Sequence, residues 1–290
     1  MESSTLHTPG GFRRWASSIL MIQHGKVESS TGRSWSGALR IVARRHFSPF
    51  KIYVRRDLQL AVFLNPKVGS TTFRRVLVEG LQEANVSPTL SRAWPIRLSR
   101  RYLSAPPADY LDLISRPHNY KFHCFVRNPY ARLLSAWKDK FSLTPEGKPA
   151  ARSMKRELPA VRRFAQRNGL PGDAPGSAVP FETFLAYVES QRQGQRNQHW
   201  DTQVSVLACD AIQYEQTYQM ESQFNEGMTH ILTQVGLSPE WLAERLATPR
   251  NPSRKLNTTV YNADLAERVY NIYRADFEQF GYARDGWQGL

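Results

Sequence analysis

Two arrangements of apolar and polar positions recur along the chain: short unbroken apolar runs, and longer stretches with an apolar residue every third or fourth place. Leu60, Ala61, Val62, Phe63 and Leu64 form a run too short for a helix, which predicts a strand buried on both faces of a parallel sheet. Beyond it, Phe73, Val76, Leu77, Leu81 and Ala84 mark one face of a helix, with Thr71 and Thr72 as expected N-caps. The pattern then repeats. Tyr120 to Arg127 (YKFHCFVR) reads as a second strand, and Tyr130, Leu133, Leu134, Trp137 and Phe141 as the stripe of a helix with Pro129 in its first turn.

Further stripes predict helices from Phe181 to Val188, from Glu221 to Val235, from Ser238 and Pro239 onward, and from Ala263 to Phe280. Ala211 to Tyr214 has strand-like character, and residues 85 to 119 read as short helices and loops. Strands alternating with helices give an α/β fold: a three-layer, P-loop-like arrangement with a central parallel sheet flanked by helices. Residues 1 to 48 lack periodicity and are expected to be a basic, poorly ordered or peripheral segment. Residues 49 to 290 then form a single domain, with a lid-like insertion at about 142 to 179 and partial helix near Met154 to Gln166. That insertion holds five Pro and four Gly, and seven Lys or Arg against three acids, and it leaves the expected active-site edge toward an acceptor.

The polar residues between each strand and its helix carry the chemistry. Pro66, Lys67, Val68 and Gly69, followed by the hydroxyls of Ser70, Thr71 and Thr72, lie where free backbone N–H groups and the positive end of a helix dipole converge, a ready site for phosphate. Gly69 permits a tight turn and Lys67 supplies a mobile cation. The order differs from the nucleotide-hydrolase sequence GxxxxGK[ST], because here Lys precedes Gly. Arg127 ends the second strand just before the next helix, and ligands of open α/β sheets collect at such strand ends. Two constructions of this kind point to two anionic groups on one ligand.

PKVGSTT followed by FVRNPYARLLSAWKDKF resembles the paired 5′-phosphosulfate and 3′-phosphate motifs of sulfotransferases, in wording closest to the carbohydrate branch that includes chondroitin-type enzymes. Asn197-Gln198-His199-Trp200 with Gln203, Cys209 and Tyr214 to Glu221 is similar to the family's central His-Trp block, and Tyr273 to Tyr282 to its C-terminal signature. The resemblance implies 3′-phosphoadenosine 5′-phosphosulfate as co-substrate. It places Lys67 at the leaving 5′-phosphate, Arg127 and Ser135 at the 3′-phosphate, and a hydroxyl of a glycan or glycolipid as acceptor. His199 is the expected proton acceptor; His118 and His123 are weaker choices, and Glu221 is a residue that could orient a base. Arg254 and Lys255 could reach the 3′-phosphate, and Arg97, Arg100 and Arg101 the donor or acceptor.

Charge changes the picture in one respect. The 290 residues carry a formal net charge of +14, with ten Lys or Arg against two Glu in residues 1 to 56. An anionic partner is expected. No zinc-finger, basic-zipper or RNA-recognition pattern is present, so nucleic acid is not the expected partner, while the basic N-terminal segment suits peripheral contact with an anionic membrane. Cys124 and Cys209 lack the spacing of a zinc set, and no metal is expected, because Lys67 and Arg127 supply the positive charge. Ile19 to Ile22 is too short to span a bilayer, and no signal segment is evident, which favours a cytoplasmic protein and departs from the membrane-anchored members of the family. Two other classes stay open: a P-loop phosphotransferase, which would want GK[ST] and an acid after a strand, and a non-catalytic basic binding protein.

Overall fold

The computed structural model describes residues 51–83, 106–141, 157–174, 177–247 and 260–290. Expectations placed on residues 1 to 48, on Arg97, Arg100 and Arg101, on residues 142 to 156, and on Arg254 and Lys255 lie outside the described residues. The chain opens with a hairpin, β1 (Ile52–Arg55) and β2 (Leu60–Phe63). It continues with α1 (Ser70–Glu83), α2 (Pro107–Ser115), β3 (Lys121–Val126), α3 (Pro129–Phe141), α4 (Glu157–Arg167), α5 (Phe181–Glu189), the single turn α6 (Gln203–Val206), β4 (Gln216–Gln219), α7 (Phe224–Gln234), α8 (Pro239–Ala247) and α9 (Ala263–Phe280).

The sheet runs β1-β2-β3-β4, with β2, β3 and β4 parallel and β1 antiparallel to β2. The fold is therefore α/β, but its sheet is mixed where an all-parallel one was expected. The reason is connection length. Only Arg56 to Gln59 separate β1 from β2, with Gln59 in the left-handed region at φ 50°, and a parallel pair needs a crossover of roughly a dozen residues or more. The other links carry helices and so allow parallel pairing.

Alternation along the strands divides the core. Leu60, Val62, Phe125 and Tyr218 face α1, α7 and α8, whose Phe73, Leu77, Met228, Ile231 and Leu242 complete one cluster. Ala61, Phe63, Phe122 and Cys124 face Tyr110 and Leu113 of α2 together with Leu207 and Ile212. Ala211 ends a turn and Ile212 to Tyr214 are irregular, not a strand, and β4 follows them; Ile212 and Tyr214 are apolar because they cover the sheet, Tyr214 packing edge-on against Phe63 and Phe122. A third cluster, built by α3, α4, α5 and α9 around Trp200, sits beside the sheet. The insertion contributes to it: Val161 and Ala165 of α4 are fully buried, and Thr183 donates to the Pro171 carbonyl at 2.9 Å. Among the described residues no helix is long and apolar enough to cross a membrane.

Candidate active site

The turn after β2 is shaped by two residues with positive φ, Lys67 at 71° and Gly69 at 80°. Successive backbone reversals of this kind turn N–H groups toward one concavity, which favours an anion. Gly69 is required twice over, because a Cβ there would also lie 2.4 Å from the Phe224 ring. α1 begins at Ser70, so Thr71 and Thr72 fall in its first turn and not at the N-cap. Val68, 2% exposed, packs into the sheet cluster and anchors the turn, leaving its backbone as its only means of contact with a ligand.

Arg127 at the end of β3 reaches this turn directly, its Nη1 donating to the Lys67 carbonyl at 3.2 Å. The two halves of the expected donor site thus border one place. α3 closes its side. Arg132, 1% exposed, donates from Nε to the Pro66 carbonyl at 3.3 Å, from Nη1 to the Asp201 carbonyl at 2.7 Å and from Nη2 to the Gln198 carbonyl at 2.8 Å. One guanidinium therefore ties the turn to the chain around His199. Three and seven residues on, Ser135 and Asp139 fall on the same helical face. Asp139 bridges two cations, Lys67 at 3.2 Å and the buried Lys140 at 3.0 Å. Burial lowers the Lys67 pKa, with the Asp139 carboxylate opposing that shift.

Arg127 is held by side chains distant in sequence. Gln203 accepts from the Arg127 N–H at 3.0 Å and donates to its carbonyl at 2.8 Å, while also accepting from Asn65 at 3.1 Å. Asp276 in turn accepts from the Gln203 and Val204 N–H groups at 2.8 and 2.9 Å, although burial pushes its carboxyl up to about 6. Glu221 lies 4.0 Å from Arg127 Nε, accepts from the Asn128 N–H at 3.0 Å, and accepts from the Tyr282 hydroxyl at 3.0 Å.

His199 stands beside the same cations. Its Nδ1 lies 2.7 Å from Asn197 Oδ1, which also accepts from the His199 N–H at 3.1 Å. Burial, then the charges of Lys140, Lys67 and Arg132, lower its pKa to about 3 against the pull of Asp139, so the ring is neutral at ordinary pH. Trp200 is fully buried and serves the core. His123 is also buried, 1% exposed and against Tyr218 and His230, and His118 is exposed in a short 3₁₀ turn; neither borders the Lys67 turn. Cys124 and Cys209 are free thiols, and among the described residues no three His, Cys, Asp or Glu side chains gather so as to hold a metal ion.

The sequence reading missed Asn65, Arg132, Asp139, Lys140 and Asp276. Arg132 and Asp139 carried a signal, since each lies one helical turn from Ser135, and Asp276 lies within the Tyr273 to Tyr282 stretch; Asn65 carried none, being a polar residue bound for burial.

A strand-turn-helix connection carrying Lys67, a buried arginine at the next strand end and a neutral histidine near Lys67 are thus gathered at one edge of the sheet. Residues 51–283 match the family model described as Sulfotransferase family, and the chain belongs to that family. Among its relatives, carbohydrate sulfotransferase 11 of Rattus norvegicus is 25% identical over 239 residues, covering 80% of this chain and 67% of its own length. Carbohydrate sulfotransferase 11 of Danio rerio is 23% identical over 289 residues, covering 96% and 80%. Carbohydrate sulfotransferase 10 of Gallus gallus is 27% identical over 276 residues, covering 84% and 71%. No solved structure matches. Membership implies a PAPS-dependent sulfotransferase and favours neither the phosphotransferase nor the binding-protein alternative.

Proposed function

We propose that this enzyme moves the sulfuryl group of 3′-phosphoadenosine 5′-phosphosulfate to a hydroxyl of a carbohydrate. The observation that carries the reading is the hydrogen bond from Arg127 to the Lys67 carbonyl, which brings both expected anion sites to one place. We read the Pro66 to Thr72 turn as a P-loop-like cradle for the 5′-phosphosulfate. Its N–H groups, the hydroxyls of Ser70, Thr71 and Thr72 and the Lys67 ammonium offset the charge that gathers on the leaving phosphate oxygen. Arg127, with Ser135, takes the 3′-phosphate, the guanidinium gripping oxygens through paired hydrogen bonds.

The donor supplies an activated sulfur; this chain's task is to hold it in line and remove a proton from the acceptor. A neutral His199 suits that task. One of the cations that depress its pKa is Lys67, whose charge the donor's phosphosulfate would offset, so donor binding raises the proton affinity of the ring as the acceptor arrives. The carbohydrate acceptor rests on the relatives, each a carbohydrate sulfotransferase.

The test is labelled-sulfate transfer onto a panel of glycans, glycolipids and phenols by the wild type, Lys67→Ala and His199→Ala. Transfer to a glycan or glycolipid is expected, falling by about a hundredfold in each variant. Transfer to phenols alone would overturn the acceptor class, and full activity in His199→Ala would overturn the base.

A further inference from the structure

Glu157 opens α4, inside the stretch read as an insertion, and its Oε1 accepts from Asn197 Nδ2 at 2.7 Å across 40 positions of sequence. It is the far end of a chain that reaches His199. A carboxylate can only accept a hydrogen bond and a backbone N–H can only donate one. Asn197 lies between such fixed groups, with Glu157 on its nitrogen and the His199 N–H on its oxygen at 3.1 Å. Those two polarities decide which way round the amide sits. The same oxygen lies 2.7 Å from His199 Nδ1, and an acceptor there requires Nδ1 to carry the hydrogen. The lone pair is then on Nε2.

We propose that Glu157 and Asn197 are positioning residues that fix the tautomer and aim of His199, making Nε2 the atom that receives the acceptor's proton. This rests on the reading of His199 as the base. In the step it serves, the acceptor O–H bond breaks as its oxygen bonds to sulfur. The proton passes to Nε2, and the bond from sulfur to the bridging phosphate oxygen breaks, releasing the bisphosphate. Glu157 is not needed merely to fasten α4, because Val161 and Ala165 already bury that helix in the core. The insertion thereby becomes part of the catalytic geometry. The other charged groups facing His199 are Lys67, Arg132, Lys140 and Asp139, and none of them is an acceptor for Nδ1.

The tautomer can be read directly from the ring nitrogen resonances of ¹⁵N-labelled, donor-free protein. Wild type should show the Nδ1–H form alone. In Glu157→Gln the side-chain amide can donate or accept, so only the His199 N–H still constrains the Asn197 amide. A mixture of tautomers and a kcat about tenfold lower are expected, with donor affinity unchanged. Glu157→Asp should recover the single tautomer and part of kcat, and Asn197→Ala should fall further than Glu157→Gln. A Glu157→Gln protein with only the Nδ1–H form and native kcat would overturn the relay. If His199→Ala keeps full activity, the base assignment fails, while the resonances still judge the relay separately.

Discussion

The two proposed anion sites at the sheet edge are built by opposite means. Around Lys67 the cradle is backbone: two left-handed residues, Lys67 and Gly69, separated by Val68, a glycine with no room for a methyl, and the start of a 14-residue helix. At Arg127 the site is a side chain: Gln203 holds the residue's backbone, Glu221 and the Lys67 carbonyl face its buried guanidinium, and Asp276 and Tyr282 support Gln203 and Glu221 from behind. A backbone cradle is preorganised by local conformation and takes an anion with little rearrangement. A buried arginine needs an external frame to satisfy the polar groups around it, and loss of that frame leaves a costly unpaired charge.

Gly69→Ala should break the contrast most severely. It forces a side chain into a left-handed residue and against the Phe224 ring, strain of about 1–3 kcal/mol before any repacking. Donor affinity measured by calorimetry should fall by about a hundredfold; native affinity would show that the backbone does not hold the anion. Arg127→Ala should cost about 10- to 100-fold in donor affinity, the worth of charge-assisted hydrogen bonds. That loss should vanish for a donor lacking the 3′-phosphate, and an equal loss for both donors would move Arg127 to the sulfate end. Asp139→Asn should do least and in the other direction. Removing a half-exposed carboxylate that competes for Lys67 should tighten donor binding about two- to fivefold, the scale of an exposed ion pair. Weaker binding would make Asp139 a support for Lys67 and not a competitor.

Legibility follows the same division. The strand, turn and helix at residues 60 to 83 could be read because apolar runs, Pro, Gly and helical stripes are local signals, and α9 was read at its observed limits, Ala263 to Phe280. β1 was overlooked because Ile52 to Val54 is a short apolar segment with no helix after it, and β4 was displaced because Ile212 and Tyr214 look like strand residues while packing onto the sheet from outside. His199 was found through its neighbourhood in sequence, whereas the reasons it is neutral, burial and then the cations Lys140 and Arg132 of α3 and Lys67 of the turn after β2, came from the tertiary structure.

By itself the sequence determined that this chain makes strand-to-helix turns carrying Lys67 and Arg127, and that the helices at residues 129 and 263 begin where they do, since dihedral preference and apolar spacing act within a few residues. Only the tertiary structure decided that the two turns border one place, that Arg132 ties the turn to the His199 segment, and that Glu157 governs Asn197. Those contacts join residues 40 to 76 positions apart, and burial of a polar group says that it needs a partner without saying which.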